Sequence, residues 1–322
     1  MKRAIGGMAA VAVLLAGLAL VAAHHDRLPV PPGEWLARSG FEVRHATVDG
    51  HRLRYVRSGS GPPVVLVHGF ASSLYTWKDV LPDLTGSHDV VALDLPGFGW
   101  SDRPPDLSFE ELPEAVTGLM DALAVPRAAL VGNSMGGGVV AVVAAEQPER
   151  VSALVLIDAA GFDLEPEDQP GMVRLMMSPL GALAGALPGR RLAVEIALRQ
   201  VFQDDRLVTD ERVAEYTAGT FQPGTFAAMR SLGRSLGDGT AVVQNGLPRI
   251  EAPTLVIWGR EDRWIPLAHA DRFVAAIPNA EKRVLDACGH MPQEEKPAAV
   301  GDLLLQFLDA RAGERTPTSA GG

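Results

Sequence analysis

Leu130-Val131-Gly132-Asn133-Ser134-Met135-Gly136-Gly137 joins an apolar run to Gly-x-Ser-x-Gly, and a stretch of small residues follows. Strand, serine and helix in that order form a nucleophile elbow, in which a sharp turn stands the Ser134 hydroxyl clear of the sheet. Glycines at 132 and 136 remove the side chains that would collide in such a turn. The helix that follows presents its amino end, and hence its positive dipole end, to any negative charge developing at Ser134.

Five residues of this kind also arise in an ordinary glycine-rich strand-to-helix turn, so the rest of the chain has to supply the chemistry. A serine hydroxyl is a weak nucleophile until a base removes its proton, and the base needs an orienting carboxylate. Ala252-Pro253-Thr254-Leu255-Val256-Ile257-Trp258-Gly259-Arg260-Glu261-Asp262 reads as a buried strand that delivers Asp262 at its carboxyl end. Lys282-Arg283-Val284-Leu285-Asp286-Ala287-Cys288-Gly289-His290 repeats the design and ends on His290. The order Ser134, Asp262, His290 is the order this kind of elbow uses. Asp158, after the next strand beyond the nucleophile, is the rival position for the acid.

Pro63-Val64-Val65-Leu66-Val67-His68-Gly69-Phe70 is a further strand, ending in His-Gly-Phe, and 94–102 reads Asp-Leu-Pro-Gly-Phe-Gly-Trp-Ser-Asp. With the elbow, Gly259-Arg260-Glu261-Asp262 and Gly289-His290, these motifs resemble the α/β-hydrolase superfamily over residues 41–310, in its branch of serine hydrolases with a separate cap. The resemblance implies an eight-stranded, mostly parallel sheet with helices on both faces. It also implies an oxyanion hole built from the Phe70 and Met135 amides, while Asp94 and His68 fall at structural positions. Relatives that cleave alkyl halides or epoxides place aspartate at the elbow, so serine here points away from them. Carbon–carbon bond hydrolases share the triad, but those acting on ring-cleavage products carry an aromatic residue after the base, where this chain has Met291.

Around these motifs the pattern alternates. Residues 41–47 and 52–57 read as a hairpin turned at Asp49-Gly50. Apolar runs at 64–67, 90–93, 128–131, 153–157, 255–258 and 283–285 are separated by segments long enough for crossover helices, which makes the sheet mostly parallel. The alternation stops after Gly161 and resumes near Glu251, with helical stretches at 191–202 and 210–218 between. The core is therefore expected at 41–161 and 247–312, with a helical cap at 162–246. Met172, Met176, Met177, Leu180, Leu183, Phe202, Phe221 and Phe226 of that cap are expected to pack among themselves and to supply an apolar pocket.

A formal charge of −10 with no basic cluster argues against nucleic acid as a partner. The single cysteine, Cys288, excludes an intramolecular disulfide and a cysteine-rich metal site, and reads as a buried filler. Neither a metal nor an organic cofactor is called for. At the amino terminus Lys2 and Arg3 precede twenty uncharged, mostly apolar residues, 4–23, the length of helix that spans a bilayer of about 30 Å. That segment is expected to act as a signal peptide or membrane anchor (1–23), with a proline-rich linker at 24–40 and the remaining chain outside the cytoplasm. Residues 313–322 lack apolar periodicity and read as a disordered tail. The expected activity is hydrolysis of a small to medium apolar ester, as in carboxylesterases and lipases. A carbon–carbon bond hydrolase, or a small-ligand receptor with little turnover, is the alternative.

Overall fold

The computed structural model describes residues 32–164, 171 and 189–312. The chain runs α1 (Glu34–Ser39), β1 (Val43–Val48), β2 (His51–Gly59), β3 (Pro63–Val67), α2 (Leu81–Leu84), β4 (Asp89–Leu93), α3 (Glu111–Ala122), β5 (Ala128–Asn133), α4 (Met135–Glu146) and β6 (Val151–Ile157). After β6 come α5 (Arg190–Val201), α6 (Asp210–Thr220) and α7 (Thr225–Gly246), then β7 (Thr254–Gly259), α8 (Ala268–Ala276), β8 (Ala280–Leu285), α9 (Pro292–Glu295) and α10 (Pro297–Ala312).

The eight strands form one sheet in the order β1-β2-β4-β3-β5-β6-β7-β8. β1 and β2 pair antiparallel across the Asp49-Gly50 turn, and β2 joins β4 antiparallel. Every pairing from β4 to β8 is parallel. All six residues of β5 and of β7 are buried, as expected of strands covered on both faces. One face packs Leu112, Val116, Val139, Val143 and Phe273, from α3, α4 and α8. The other packs Leu81, Leu84, Leu304 and Phe307, from α2 and α10. α4 is apolar on every side, which a helix tolerates only when covered all round; it lies against β5, β6 and α7.

The segment between β6 and β7 is helical in its described part, with Val194, Leu198, Val201, Phe202, Val213 and Met291 forming a small core of their own. The linker expectation over 24–40 fails at its end. Residues 34–39 are helical, and the Trp35 side chain is only 4% exposed, meeting Tyr75 edge-on at 5.7 Å. One large aromatic residue with a buried partner is enough to dock a helix that proline and glycine spacing alone does not suggest. Among the described residues no helix is long and apolar enough to cross a membrane. The expected span at 4–23, the tail at 313–322, and Met172, Met176, Met177, Leu180 and Leu183 lie outside the described residues.

Candidate active site

Ser134 sits between β5 and α4 with φ 54° and ψ −123°, a strained conformation for a residue with a side chain. Its amide donates to Ile157 O at 3.0 Å, so the turn is pinned to the end of β6. The flanking glycines are required by close approach: a Cβ at Gly132 would lie 2.3 Å from Gly136 O, and one at Gly136 would lie 2.3 Å from Val67 O. Neither position has room for alanine.

His290 reaches the serine from the loop after β8, with Nε2 2.9 Å from Ser134 Oγ and Nδ1 2.7 Å from Asp262 Oδ2. Asp262, in the loop after β7, accepts at its second oxygen from the Trp264 and Ile265 amides at 2.7 and 3.0 Å. An acceptor of three hydrogen bonds, with a side chain closed to solvent, is suited to stay ionised. It therefore holds the proton of His290 on Nδ1 and leaves Nε2 to accept from Ser134.

The base is fixed from several directions. Its backbone amide donates to Val201 O at 2.8 Å, tying it to the end of α5, and Asn133 Nδ2 donates to its carbonyl at 3.3 Å. Gly289 N donates to Glu295 Oε1 at 2.8 Å. The Trp264 ring stacks on the imidazole with centroids 5.5 Å apart and planes 29° apart.

Phe70 and Met135, the expected oxyanion donors, border the same cavity as Ser134 and His290. Met135 opens α4, and the first amide of a helix has no acceptor within its own helix. The loop carrying Phe70 is braced by His68, which accepts from Leu95 N at 3.0 Å through Nε2 and lies 2.7 Å from Gly69 O through Nδ1. Burial lowers the His68 pKa, so the ring is a neutral strut. Asp94 is also a strut, taking the Leu74 and Trp100 amides and the Arg54 guanidinium. Burial pushes the Cys288 thiol pKa up, away from any role as nucleophile.

Asp158 lies beside the triad without joining it. Its Oδ1 accepts from Gly259 N at 3.0 Å, and Asp262 is the carboxylate on the imidazole. Donor atoms of Asp158, Asp262 and His290 all fall within 4.8 Å of one another, a spacing that could suit a cation. Both imidazole nitrogens are already engaged, one by Asp262 and one by Ser134, so the cluster reads as a proton relay.

The cavity above Ser134 measures about 380 Å³. Its apolar wall comes from Phe70, Phe109, Phe162 and Trp264 together with Leu236 and Val243 of α7. Gly237 of α7 also faces it, and a Cβ there would meet nothing within 4 Å. The expectation that Phe202, Phe221 and Phe226 supply this wall is corrected: Phe202 fills the cap's own core and the other two pack on each other at 5.3 Å. Sequence reading also missed Trp264 and Asn133. Their signal was proximity in sequence, two residues after the acid and one before the nucleophile.

Residues 62–297 match the α/β-hydrolase fold family model, and the chain belongs to that family. It is similar to 2-hydroxymuconate semialdehyde hydrolase of Pseudomonas sp. strain CF600, with 34% identity over 82% of this chain and 93% of that protein. Among solved structures it resembles the meta-cleavage product hydrolase CumD of Pseudomonas fluorescens IP01, with TM-score 0.72 and 28% identity over 83% of this chain and 97% of that one. It also resembles a membrane phospholipase A described as a bacterial virulence factor, with TM-score 0.70 and 28% identity over 97% of this chain and 99% of that one. The fold, the family and these relatives make it a hydrolase.

Proposed function

We propose that the chain hydrolyses a neutral, apolar carboxylic ester through an acyl-enzyme on Ser134. The observation that carries this reading is the cavity wall: among the described residues that form it there is no arginine or lysine, and its one charged carboxylate is Asp163. A substrate bearing its own carboxylate would meet no cation there and would lose solvation without recompense. The likeness to a phospholipase A, which extends over 97% of this chain, supports the same reading.

His290 takes the Ser134 proton as Oγ attacks the carbonyl carbon, and Asp262 stabilises the imidazolium. The Phe70 and Met135 amides receive the oxyanion, a contribution of about 3 kcal/mol for each such donor. Collapse expels the alcohol, which takes the proton from His290. Water then repeats the attack on the acyl-enzyme and regenerates Ser134.

Hydrolytic carbon–carbon cleavage is the second reading, and likeness to named relatives favours it over the ester. The 2-hydroxymuconate semialdehyde hydrolase and CumD both have such substrates in their names, and both match more than four fifths of this chain. In that reaction the leaving group is a carbanion equivalent, and His290 protonates carbon where it would otherwise protonate an alkoxide.

The two readings separate in one assay. Purified protein is given aryl esters with acyl chains of two to twelve carbons and, in parallel, a ring-fission dienoate. Turnover of an ester at least a hundredfold more efficient than that of the dienoate is expected; the reverse ranking overturns the proposal. Binding of both without turnover would mark a receptor. Ser134→Ala should lower ester turnover by about 10^4 to 10^6-fold, and a phosphonate probe should label Ser134 in the parent alone. Near-parental activity in that variant would remove Ser134 from the mechanism.

A further inference from the structure

Asp158 is a carboxyl group with no exposure to solvent, one oxygen on Gly259 N and the other, Oδ2, without a donor among the described residues. Its neighbour is the Asp262 side chain, close enough for a hydrogen bond between the two carboxyl groups. Two carboxylates cannot hydrogen-bond each other, because both are acceptors; one of the pair must carry a proton. Asp262 accepts from two backbone amides and from His290, whereas Asp158 accepts from one amide only. The proton belongs on Asp158.

The backbone keeps Asp158 in this place. Its φ of 43° is in the left-handed region, where a side chain is strained, and its amide donates to Ile257 O at 3.0 Å on the adjoining strand β7. The groups that face it are Asp262 from the loop after β7, Glu295 from α9, the Cys288 thiol and the His290 ring. Neither carboxylate among them offers a positive charge, and burial and then the Asp262 charge hold the Asp158 carboxyl well above the usual carboxylate range.

We propose that Asp158 is a positioning residue, a neutral carboxylic acid that donates a hydrogen bond to Asp262 and so fixes the acid that orients His290. This rests on Asp262 and His290 acting as described above, and it replaces the alternative in which Asp158 is itself the acid of the triad. A neutral acid adds a fourth hydrogen bond to Asp262 without adding a second negative charge beside the imidazole. An ionised one would repel Asp262 and make the imidazolium harder to discharge.

The test compares Asp158→Asn with Asp158→Ala in the full chain. Asparagine keeps an N–H for Asp262 and an oxygen for Gly259 N; alanine keeps neither. Asp158→Ala is expected to lower kcat by about 10- to 100-fold with KM little changed, the usual cost of removing a partner that orients an active-site group. Asp158→Asn should recover all but a few-fold of that loss. The acid limb of its kcat/KM profile should stay where the parent's lies, because no charge near His290 has been removed.

A limb displaced to lower pH in Asp158→Asn would mean an ionised Asp158 and overturn the proposal. A loss of 10^3-fold or more in Asp158→Asn would make it the catalytic acid instead. Parental kcat in Asp158→Ala would leave it no positioning role. Should the alanine variant fail to fold, an infrared difference spectrum of parent against Asp158→Asn decides the matter, since the parent must show a protonated carboxyl band that the variant lacks. That band is read without turnover, so its absence counts against Asp158 alone, whereas an active Ser134→Ala counts against the triad reading.

Discussion

Both oxygens of Asp262 are engaged, Oδ2 by His290 and Oδ1 by the Trp264 and Ile265 amides. The two backbone bonds hold the carboxylate in place, so a change to amide alters charge and tautomer with little movement. Asp262→Asn should keep the fold and lower turnover by about 10^3 to 10^4-fold, because an amide N–H facing Nδ1 drives the ring proton onto Nε2 and leaves no base for Ser134. Steady-state kinetics beside an unchanged melting temperature check this; a loss under tenfold would move the acid elsewhere. Ser134, Asp262 and His290 were legible because each ends an apolar run, and such runs deliver their last residue to one edge of a parallel sheet. The relation of Asp158 to Asp262 was not legible. It depends on the packing of β6 against β7, which sets the two side chains face to face, and sequence order alone allowed either residue to be the acid.

At the scale of elements, the sheet could be read from apolar runs and the cap only in part. α5 and α6 fall within two residues of their expected ends, but α7 carries five glycines in 22 residues, and that composition argues against a helix on local propensity. Packing against α4 overrides it, and the openings left by glycine become cavity. The junction of α1 with α6 carries a titratable group. Glu215 of α6, 2% exposed, accepts from the Gly33 amide at the start of α1, and burial raises its pKa from 4.5 to about 7. A carboxyl raised in the folded state contributes stability that is fully present below pH 4.5 and is lost as the pH climbs through 7. Glu215→Gln keeps the acceptor without the charge. Its melting temperature should match the parent's near pH 4 and exceed it at pH 8, by an amount equivalent to about 1–3 kcal/mol. Equal melting temperatures at pH 8 would mean that the carboxylate is solvated after all.

The whole molecule places its triad at the carboxyl ends of the strands, where α/β sheets gather their ligands, with α5, α6 and α7 lying between β6 and β7 in sequence. α1 is fastened to that cap through Arg38 on Glu211 and the Gly33 amide on Glu215. Ten residues, 24–33, separate α1 from the apolar run 4–23, a reach of about 35 Å at full extension. If that run inserts in a bilayer, with Lys2 and Arg3 retained in the cytoplasm, the catalytic residues lie on the opposite side and the cap stays within that reach of the lipid. An alkaline phosphatase fused after Gly322 should then be active, and a fluorescent reporter that folds only in the cytoplasm should stay dark. Mass spectrometry of the amino terminus separates the two fates of the segment: a chain beginning near His24 means cleavage, and Lys2 and Arg3 recovered in the membrane fraction mean an anchor. A full-length chain found in the soluble cytoplasmic fraction would defeat both. Twenty apolar residues would then have to be buried against protein, and deleting 1–23 should lower the melting temperature of the catalytic domain, which an exported enzyme would not show.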